Sequence, residues 1–153
     1  MIEGVRVRRL APHADERGSL TEVMRSDWPE FAGFGQAIAT VNHPGIIRGW
    51  HWHHRQTDAI VVLRGRVLLP LYDGRRGSPT FGAIEERIAD GVDLFAVFVP
   101  PGVYHGYRTL SDEPALILNF PDQVYDPASP DEERVSHDDP AIGYRWEDPD
   151  RPG

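Results

Sequence analysis

The sequence contains no cysteine and no lysine, and each absence removes a class of chemistry. Without cysteine, neither a disulfide framework nor a thiolate metal site can form. All 16 cationic residues are arginine, so neither a Schiff-base lysine nor a P-loop lysine is available. No apolar run is long enough to cross a bilayer, and residues 1–10 lack the pattern of a signal peptide. We therefore expect a cytoplasmic protein without a membrane partner.

The charge balance excludes a further class of partner. A formal net charge of −8 leaves no basic face for nucleic acid. With 40% hydrophobic and 26% charged residues, the composition is that of a globular protein, and 153 residues fit one domain. The sequence predicts a single domain over residues 1–146 and a mobile tail over residues 147–153.

Short β-prone runs separated by turn residues predict an all-β fold. The 15 glycines and 14 prolines leave little room for long helices. Many short strands at regular spacing indicate a sandwich or barrel. Arg64 and Gly65 predict a hairpin turn, and residues 27–32 predict a short helical turn. We expect the acid-rich chain that begins at residue 126 to be irregular. The expected strands cover residues 5–10, 20–24, 35–41, 46–52, 59–63, 67–72, 81–88, 94–99, 103–109 and 115–120.

One short segment carries the residues suited to chemistry. His51 and His53 are two residues apart, a spacing that points both imidazoles to the same face of a strand. Asp58 starts the next apolar run, and His105 starts a distant one. Trp50 and Trp52 alternate with the histidines, so we expect them to point away from this face.

These residues resemble the two-part motif of the cupins. His51, His53, Asp58 and then Gly65 follow the spacing of the first motif, with aspartate where the family has glutamate. Pro100, Gly102 and His105 fit the second motif, whose later asparagine is replaced by Thr109. The resemblance implies a cupin jelly-roll β-barrel in which His51, His53, Asp58 and His105 converge. Such a donor set suits one divalent transition metal, namely Fe, Mn, Ni, Cu or Zn.

From Asp15 to Trp146 the chain also resembles the dTDP-4-dehydrorhamnose 3,5-epimerases, an RmlC-like branch of the cupins. The matching pieces keep their order and nearly all of their spacing. They are residues 15–18, Glu22, Gln36, residues 47–51, 64–67, 78–82, 99–107, 125–127 and 138–143.

This second resemblance implies an isomerase of deoxysugar biosynthesis. Its reaction removes a proton from the carbon beside the 4-keto group of a nucleotide-linked 6-deoxysugar and needs no metal. It implies that His51 is the base and that Asp139 is its carboxylate partner. It also implies a homodimer that exchanges an N-terminal strand. The implied substrate-binding residues are Arg17, Glu22, Gln36, Arg48, Asn119 and Tyr125.

The chain departs from this family at positions that matter for catalysis. Asp58 stands in place of the family lysine that steadies the enolate oxygen, and Asn119 in place of the tyrosine that acts as acid. His53 replaces a glutamine and Ile38 an asparagine. Two of these changes, at His53 and Asp58, complete the metal set of the cupins. A metal-bound His51 could not also act as base, so the two roles of His51 exclude each other.

Three functions remain open from the sequence. The first is an epimerase or isomerase acting on a nucleotide-linked 4-keto-6-deoxysugar. The second is a metal-dependent cupin enzyme, such as an oxygenase, isomerase or lyase, acting on another small substrate. The third is a non-catalytic module that binds a sugar or nucleotide. Tyr125 is a candidate for the missing acid in the first function.

Overall fold

The computed structural model describes residues 1–149 and contains twelve β-strands. No helix occurs within these residues, and so none that could cross a membrane. The strands are β1 Arg6–Arg9, β2 His13–Asp15, β3 Gly18–Leu20, β4 Ile38–Asn42, β5 Ile47–His53, β6 Asp58–Arg64, β7 Val67–Asp73, β8 Ile84–Ala89, β9 Phe95–Val99, β10 Val103–Thr109, β11 Ala115–Asn119 and β12 Glu132–Arg134.

Ten of the strands form two antiparallel sheets of five strands each. The first sheet has the order β1-β9-β6-β11-β4, and the second has the order β12-β5-β10-β7-β8. Strands β2 and β3 form a separate two-stranded hairpin. The all-β cupin architecture predicted from the sequence is confirmed.

The main core lies between the two sheets. From the first sheet it receives Ile60, Val97 and Ile117, and from the second Leu69 and Leu71, all almost fully buried. These side chains alternate along their strands, so that one face of each strand meets the other sheet. At one end of the sandwich the inward positions are polar instead of apolar, and the candidate site is found there.

The outer face of the first sheet is also covered. Val61 and Phe98 point away from the main core and pack with Val23, Met24 and Trp28. Because β6 is buried on both faces, its sequence is a nearly continuous apolar run. The covering segment contains turns at residues 26–30 but not the helical turn predicted for residues 27–32.

Three expectations about the connections were wrong. Gly65 has the positive φ expected of a turn residue (φ 83°), but β6 and β7 belong to different sheets, so the turn is a crossover and not a hairpin. Of the strand expected over residues 20–24, only Leu20 is in a strand, the last residue of β3. The segment after residue 126 is not wholly irregular, since it contains β12, which pairs with β5.

The C-terminal segment folds back onto the second sheet. Trp146 is buried and packs on Trp50, with ring centroids 4.8 Å apart. Asp148, inside the tail predicted over residues 147–153, accepts a hydrogen bond from Arg66 at 2.7 Å. Residues 150–153 of that tail lie outside the described residues.

Candidate active site

A cavity of about 760 Å³ lies between the two sheets. This volume is in the range of small-molecule binding sites. Asp58, Ile60 and Asn119 line it from the first sheet. The second sheet contributes side chains from β5, β10 and β12, and the loop between β11 and β12 forms part of the rim. The lining residues of the second sheet are Arg48, His51, His53, His105, Tyr107, Glu132 and Arg134.

Strand β5 sends its histidines into the cavity and its tryptophans away from it. His51 and His53 both line the cavity. Trp50 is fully buried on the other face of the sheet, against Tyr144 and Trp146. Trp52 stacks on Tyr104, also outside the cavity lining. The alternation read from the sequence is therefore observed.

Pairing of the strands brings the distant histidine and carboxylate to the same place. In the register of β10 and β5, His105 lies directly opposite His51. Asp58 starts β6 in the facing sheet and projects between the imidazoles. It is 1% exposed, and His53 and His105 are 6% and 5% exposed. A buried carboxylate in this position needs partners for both oxygens.

Both oxygens of Asp58 have close polar neighbours. Oδ1 accepts hydrogen bonds from the side-chain amides of Gln56 (2.9 Å) and Asn119 (3.0 Å). Oδ2 lies 3.0 Å from Nε2 of His53 and 3.0 Å from Nε2 of His105. Despite these short distances, Oδ2 is buried without a well-aligned hydrogen bond.

Burial and charge act in opposite directions on this group. Burial alone would raise the pKa of Asp58, but the contacts with His105 and His53 outweigh it and hold the pKa well below its usual value. Burial likewise opposes the charged form of His53, while Asp58 raises the pKa of this imidazole above its ordinary value. Asp58 is therefore an anion, and it favours positive charge between itself and the two imidazoles.

Of the four residues predicted to bind a metal, the structure brings three together. One ligand atom each from His53, Asp58 and His105 lies within 4.8 Å of the others. His51 is not part of this group. The candidate metal site in the structure therefore consists of His53, Asp58 and His105.

The carboxylate beside His51 is Glu132 and not Asp139. Nδ1 of His51 lies 3.4 Å from Oε1 of Glu132. The contact with His51 and the hydrogen bond from Arg134 outweigh burial and lower the pKa of Glu132 to about 2. Asp139 is half-buried, lies outside the cavity lining and accepts a hydrogen bond from the backbone N–H of Ala141. The predicted His51–Asp139 pair is thus not formed in this structure.

Asp139 belongs to a segment that contacts the outer face of the second sheet, since the carbonyl oxygen of His137 accepts a hydrogen bond from Nε1 of Trp146, which packs on Trp50. Burial, together with the nearby carboxylates of Glu133 and Asp139, raises the pKa of Tyr104. Tyr104 stacks on Trp52 on that outer side. Among residues 1–149, the carboxylate that contacts His51 is that of Glu132.

Four of the predicted substrate-binding residues line the cavity: Gln36, Arg48, Asn119 and Tyr125. Oε1 of Gln36 accepts a hydrogen bond from the backbone N–H of Tyr125 (3.2 Å), which fixes the rim beside this tyrosine. Nε of Arg48 donates to Oδ1 of the buried Asn42 (3.0 Å). That bond uses Nε and not the two terminal nitrogens of the Arg48 guanidinium.

Arg17 and Glu22 are not in the cavity of this chain. Arg17 is exposed at the tip of the β2–β3 hairpin and pairs with Asp15 at 2.5 Å. Glu22 pairs with Arg25 at 2.7 Å. In the single chain, these two predicted substrate-binding residues are therefore separate from the other four.

Sequence reasoning missed Gln56, Glu132 and Arg134 as cavity residues. Gln56 follows the histidines closely, and this polar residue could have been predicted to line the cavity. Glu132 and Arg134 are two residues apart, the spacing of one strand face. That weak signal was hidden because the surrounding segment is rich in acids and prolines.

The double sheet and the polar cavity together define an RmlC-like cupin. Comparison with known proteins identifies the family more closely. The sequence profile described as dTDP-4-dehydrorhamnose 3,5-epimerase matches residues 1–152. The chain belongs to this family, and the family resemblance found in the sequence is confirmed.

Relatives of known name support the same assignment. The chain is 37% identical to the spore coat polysaccharide biosynthesis protein SpsL of Bacillus subtilis, over 95% of this chain and 97% of SpsL. It is 38% identical to a probable low-salt glycan biosynthesis epimerase, Agl13, of Haloferax volcanii, over 95% of this chain and 94% of Agl13.

Solved structures are similar over nearly the whole chain. A dTDP sugar isomerase from Desulfovibrio desulfuricans G20 has a TM-score of 0.88 and 29% identity, with 95% of this chain and 92% of that chain covered. The 3′-monoepimerase ChmJ of Streptomyces bikiniensis, solved with dTDP-quinovose, has a TM-score of 0.85 and 30% identity, with coverage of 99% and 79%. The chain is therefore an enzyme of the isomerase type, a dTDP-sugar epimerase or isomerase.

Proposed function

We propose that the enzyme epimerises or isomerises a nucleotide-linked 4-keto-6-deoxysugar, with His51 as the base. The observation that carries this proposal is the position of His51 at the cavity. Its side chain is 25% exposed, and its Nδ1 lies 3.4 Å from a carboxylate oxygen of Glu132. An imidazole that donates Nδ1–H to a carboxylate leaves the lone pair of Nε2 free to accept a proton.

The proposed reaction is balanced without an oxidant or reductant. Nε2 of His51 takes the proton from the carbon beside the keto group, and the electron pair of that C–H bond forms the enolate. A proton then returns to the same carbon from the opposite face, and the keto group is restored. Tyr125, whose phenol lines the rim, is our candidate for the donor of that proton.

The cavity offers partners for both ends of such a substrate. Arg48, Arg55 and Arg134 line it and suit the diphosphate, since a guanidinium binds phosphate oxygens in a bidentate manner. Asn119 and Gln56 lie deeper, beside Asp58, where hydroxyl and keto oxygens of a sugar would need hydrogen bonds.

The decisive experiment follows solvent deuterium into the sugar. In D₂O, the wild-type enzyme should incorporate deuterium at C3 or C5 of dTDP-4-keto-6-deoxyglucose, measured by NMR or mass spectrometry. His51→Asn should lower this rate by roughly 10²- to 10⁴-fold, the usual contribution of a general base. His54→Asn is the matched control, because His54 pairs with Glu133 outside the cavity. Absence of wild-type exchange, or equal rates for His51→Asn and wild type, would overturn the proposal.

We also propose that His53, Asp58 and His105 bind one divalent transition metal. Epimerases of this family need no cofactor, so this site would be a property of the present chain. Two histidines and one carboxylate, with donor atoms within 4.8 Å, fit Fe(II), Mn(II), Ni(II), Cu(II) or Zn(II).

The orientation of His105 supports this proposal. Its Nδ1 lies 3.3 Å from the carbonyl oxygen of Val103, which calls for the proton on Nδ1. Nε2 of the neutral ring then faces Oδ2 of Asp58 with a lone pair at 3.0 Å. Two lone pairs at this distance repel each other unless a proton or a cation lies between them. Oδ2 without an aligned donor fits the second case.

A metal bound there would supply a Lewis acid that polarises a carbonyl oxygen. The three side chains would hold it, and His51 stays outside the set and keeps its role as base. This arrangement offers a replacement for the positive charge that the family lysine provides and that this chain lacks.

Metal analysis of the untagged protein tests the site directly. We expect about one metal ion per chain, and we expect added metal to raise the Tm of the metal-stripped protein, because a ligand of the folded state stabilises it. Asp58→Asn should abolish both effects, and His54→Asn should preserve them. Protein without metal, together with a Tm that added metals do not change, would leave a shared proton as the explanation of the short contacts.

Assembly and location stay predictions. We propose a homodimer in which the β2–β3 hairpin brings Arg17 and Glu22 to the cavity of the partner. In support, this hairpin pairs with no other strand of residues 1–149, and it exposes Leu20. A monomer at working concentration in light scattering would contradict this, and cell fractionation tests the proposed cytoplasmic location.

A further inference from the structure

Strand β12 carries a carboxylate that the structure places against the base. Glu132 lies opposite His53 in the antiparallel register of β12 and β5, and Arg134 lies opposite His51. Glu132 is therefore the diagonal neighbour of His51 on the cavity face of the sheet, a relation within reach of long side chains. Glu133, between them, points to the outer face.

The backbone on both sides of Glu132 is fixed. On one side, Oδ2 of Asp131 accepts hydrogen bonds from the backbone N–H groups of Arg55 and Gln56, both at 2.9 Å. On the other side, Val135 and Trp50 exchange two backbone hydrogen bonds, of 2.7 and 3.0 Å. Glu132 thus lies between two anchors that connect β12 to β5 and to the loop after it.

The Glu132 side chain is held as well. Its Oε1 is contacted by Nε of Arg134 and lies 3.4 Å from Nδ1 of His51. With its backbone anchored and one oxygen held by a guanidinium, the carboxylate presents a fixed acceptor to the imidazole. Such an acceptor selects the tautomer with the proton on Nδ1.

We infer that Glu132 is the positioning residue of this enzyme, and that its carboxylate holds His51 with Nδ1 protonated and Nε2 facing the sugar. The inference rests on the proposed function, in which His51 is the base. It assigns to a glutamate on β12 the role that the sequence assigned to Asp139. In this structure His51 contacts Glu132, whereas Asp139 accepts a hydrogen bond from the backbone N–H of Ala141.

The test compares three variants in which a carboxylate is replaced by the corresponding amide, and one in which it is shortened. Glu132→Gln is nearly isosteric but no longer offers a carboxylate. Glu133→Gln is the matched control, because Glu133 is the next residue and pairs with the exposed His54 (2.8 Å). Asp139→Asn tests the alternative partner. Glu132→Asp tests whether a shorter carboxylate restores part of the function.

We expect Glu132→Gln to lower kcat about 10- to 100-fold, less than loss of the base itself, with KM changed less than about threefold. Glu133→Gln and Asp139→Asn should keep kcat within about twofold of wild type, and Glu132→Asp should recover part of the loss. The second readout is the tautomer of His51 in the ligand-free protein, observed by long-range ¹H–¹⁵N NMR. Wild type and Glu133→Gln should show Nδ1–H, and Glu132→Gln should lose this preference.

Two results would overturn the inference. One is an unchanged His51 tautomer in Glu132→Gln. In that case a decrease in kcat would have a structural cause and would not support a positioning role. The other is a loss of kcat in Asp139→Asn that Glu132→Gln does not share. Because the NMR readout needs no substrate, it tests Glu132 even if the wild-type enzyme fails to exchange deuterium, a result that would count against the proposed function alone.

Discussion

Removal of the Asp58 carboxylate should destabilise the fold far more than removal of a surface carboxylate. Asp58→Ala leaves the amides of Gln56 and Asn119 without their acceptor, and it leaves the imidazoles of His53 and His105 beside a small void. All of these groups are buried or partly buried, so water replaces the lost partner poorly.

The expected magnitude follows from burial. Breaking a buried charge pair by removing one partner costs about 3–5 kcal/mol. For a domain of this length, each kcal/mol lowers Tm by roughly 2–4 °C, which gives a loss of roughly 6–20 °C. Asp58→Asn keeps an acceptor for Gln56 and Asn119, so its loss should be smaller.

The assay is urea unfolding with calorimetry, in a buffer with a chelator so that bound metal adds nothing. Asp93→Ala is the control, since the Asp93 side chain is 61% exposed and pairs with Arg9 at the surface. Such surface pairs contribute about 0–1 kcal/mol. If the free energy of unfolding of Asp58→Ala lies within about 1 kcal/mol of the wild-type value, the hydrogen bonds and contacts of Asp58 do not stabilise the fold and our interpretation of Asp58 is wrong.

Three further predictions concern the same site. Because the pKa of Glu132 is lowered from 4.5 to about 2, its contact stabilises the fold above pH 4.5 and is lost as the pH falls toward 2. Over this range, urea midpoints of wild type and of Glu133→Gln should fall faster than those of Glu132→Gln, and parallel curves would refute this. Gly106→Ala should cost about 1–3 kcal/mol or more in urea unfolding, because its Cβ would lie 2.6 Å from the carbonyl oxygen of Arg48 and 2.7 Å from the Trp146 ring; an unchanged midpoint would show that the strands can separate. Tyr125→Phe should lower kcat at least about 10-fold if this phenol is the acid, and full activity would exclude it.

The sequence predicted the parts of the site that depend on local spacing. The alternation of His51 and His53 with Trp50 and Trp52 follows from strand geometry alone, and the structure has it. The cupin motif placed Asp58 and His105 beside His53, because motif spacing carries information about sheet pairing that single residues lack.

The features that the sequence did not predict depend on pairing between distant segments. Glu132 reaches His51 only because β12 pairs with β5, in a segment whose acids and prolines predicted irregular chain. Likewise, Arg64 and Gly65 look like a hairpin turn, but β6 finds β9 and β11 as its partners and β7 finds β10 and β8. Local propensity identifies a turn, while the sheet that each strand joins is decided by packing.

An aspartate in place of the family lysine looks, from the sequence, like the loss of the group that stabilises an enolate. The structure changes the physical meaning of that substitution. The Asp58 carboxylate does not face the cavity alone, since two amides hold one oxygen and two imidazole nitrogens lie 3.0 Å from the other. Whatever lies between those nitrogens and Oδ2, a proton or a metal ion, is positive. A proton only balances the charge of the Asp58 carboxylate, whereas a divalent ion would leave the cluster with a net positive charge in place of the lysine. His51 would stay outside that cluster, beside Glu132.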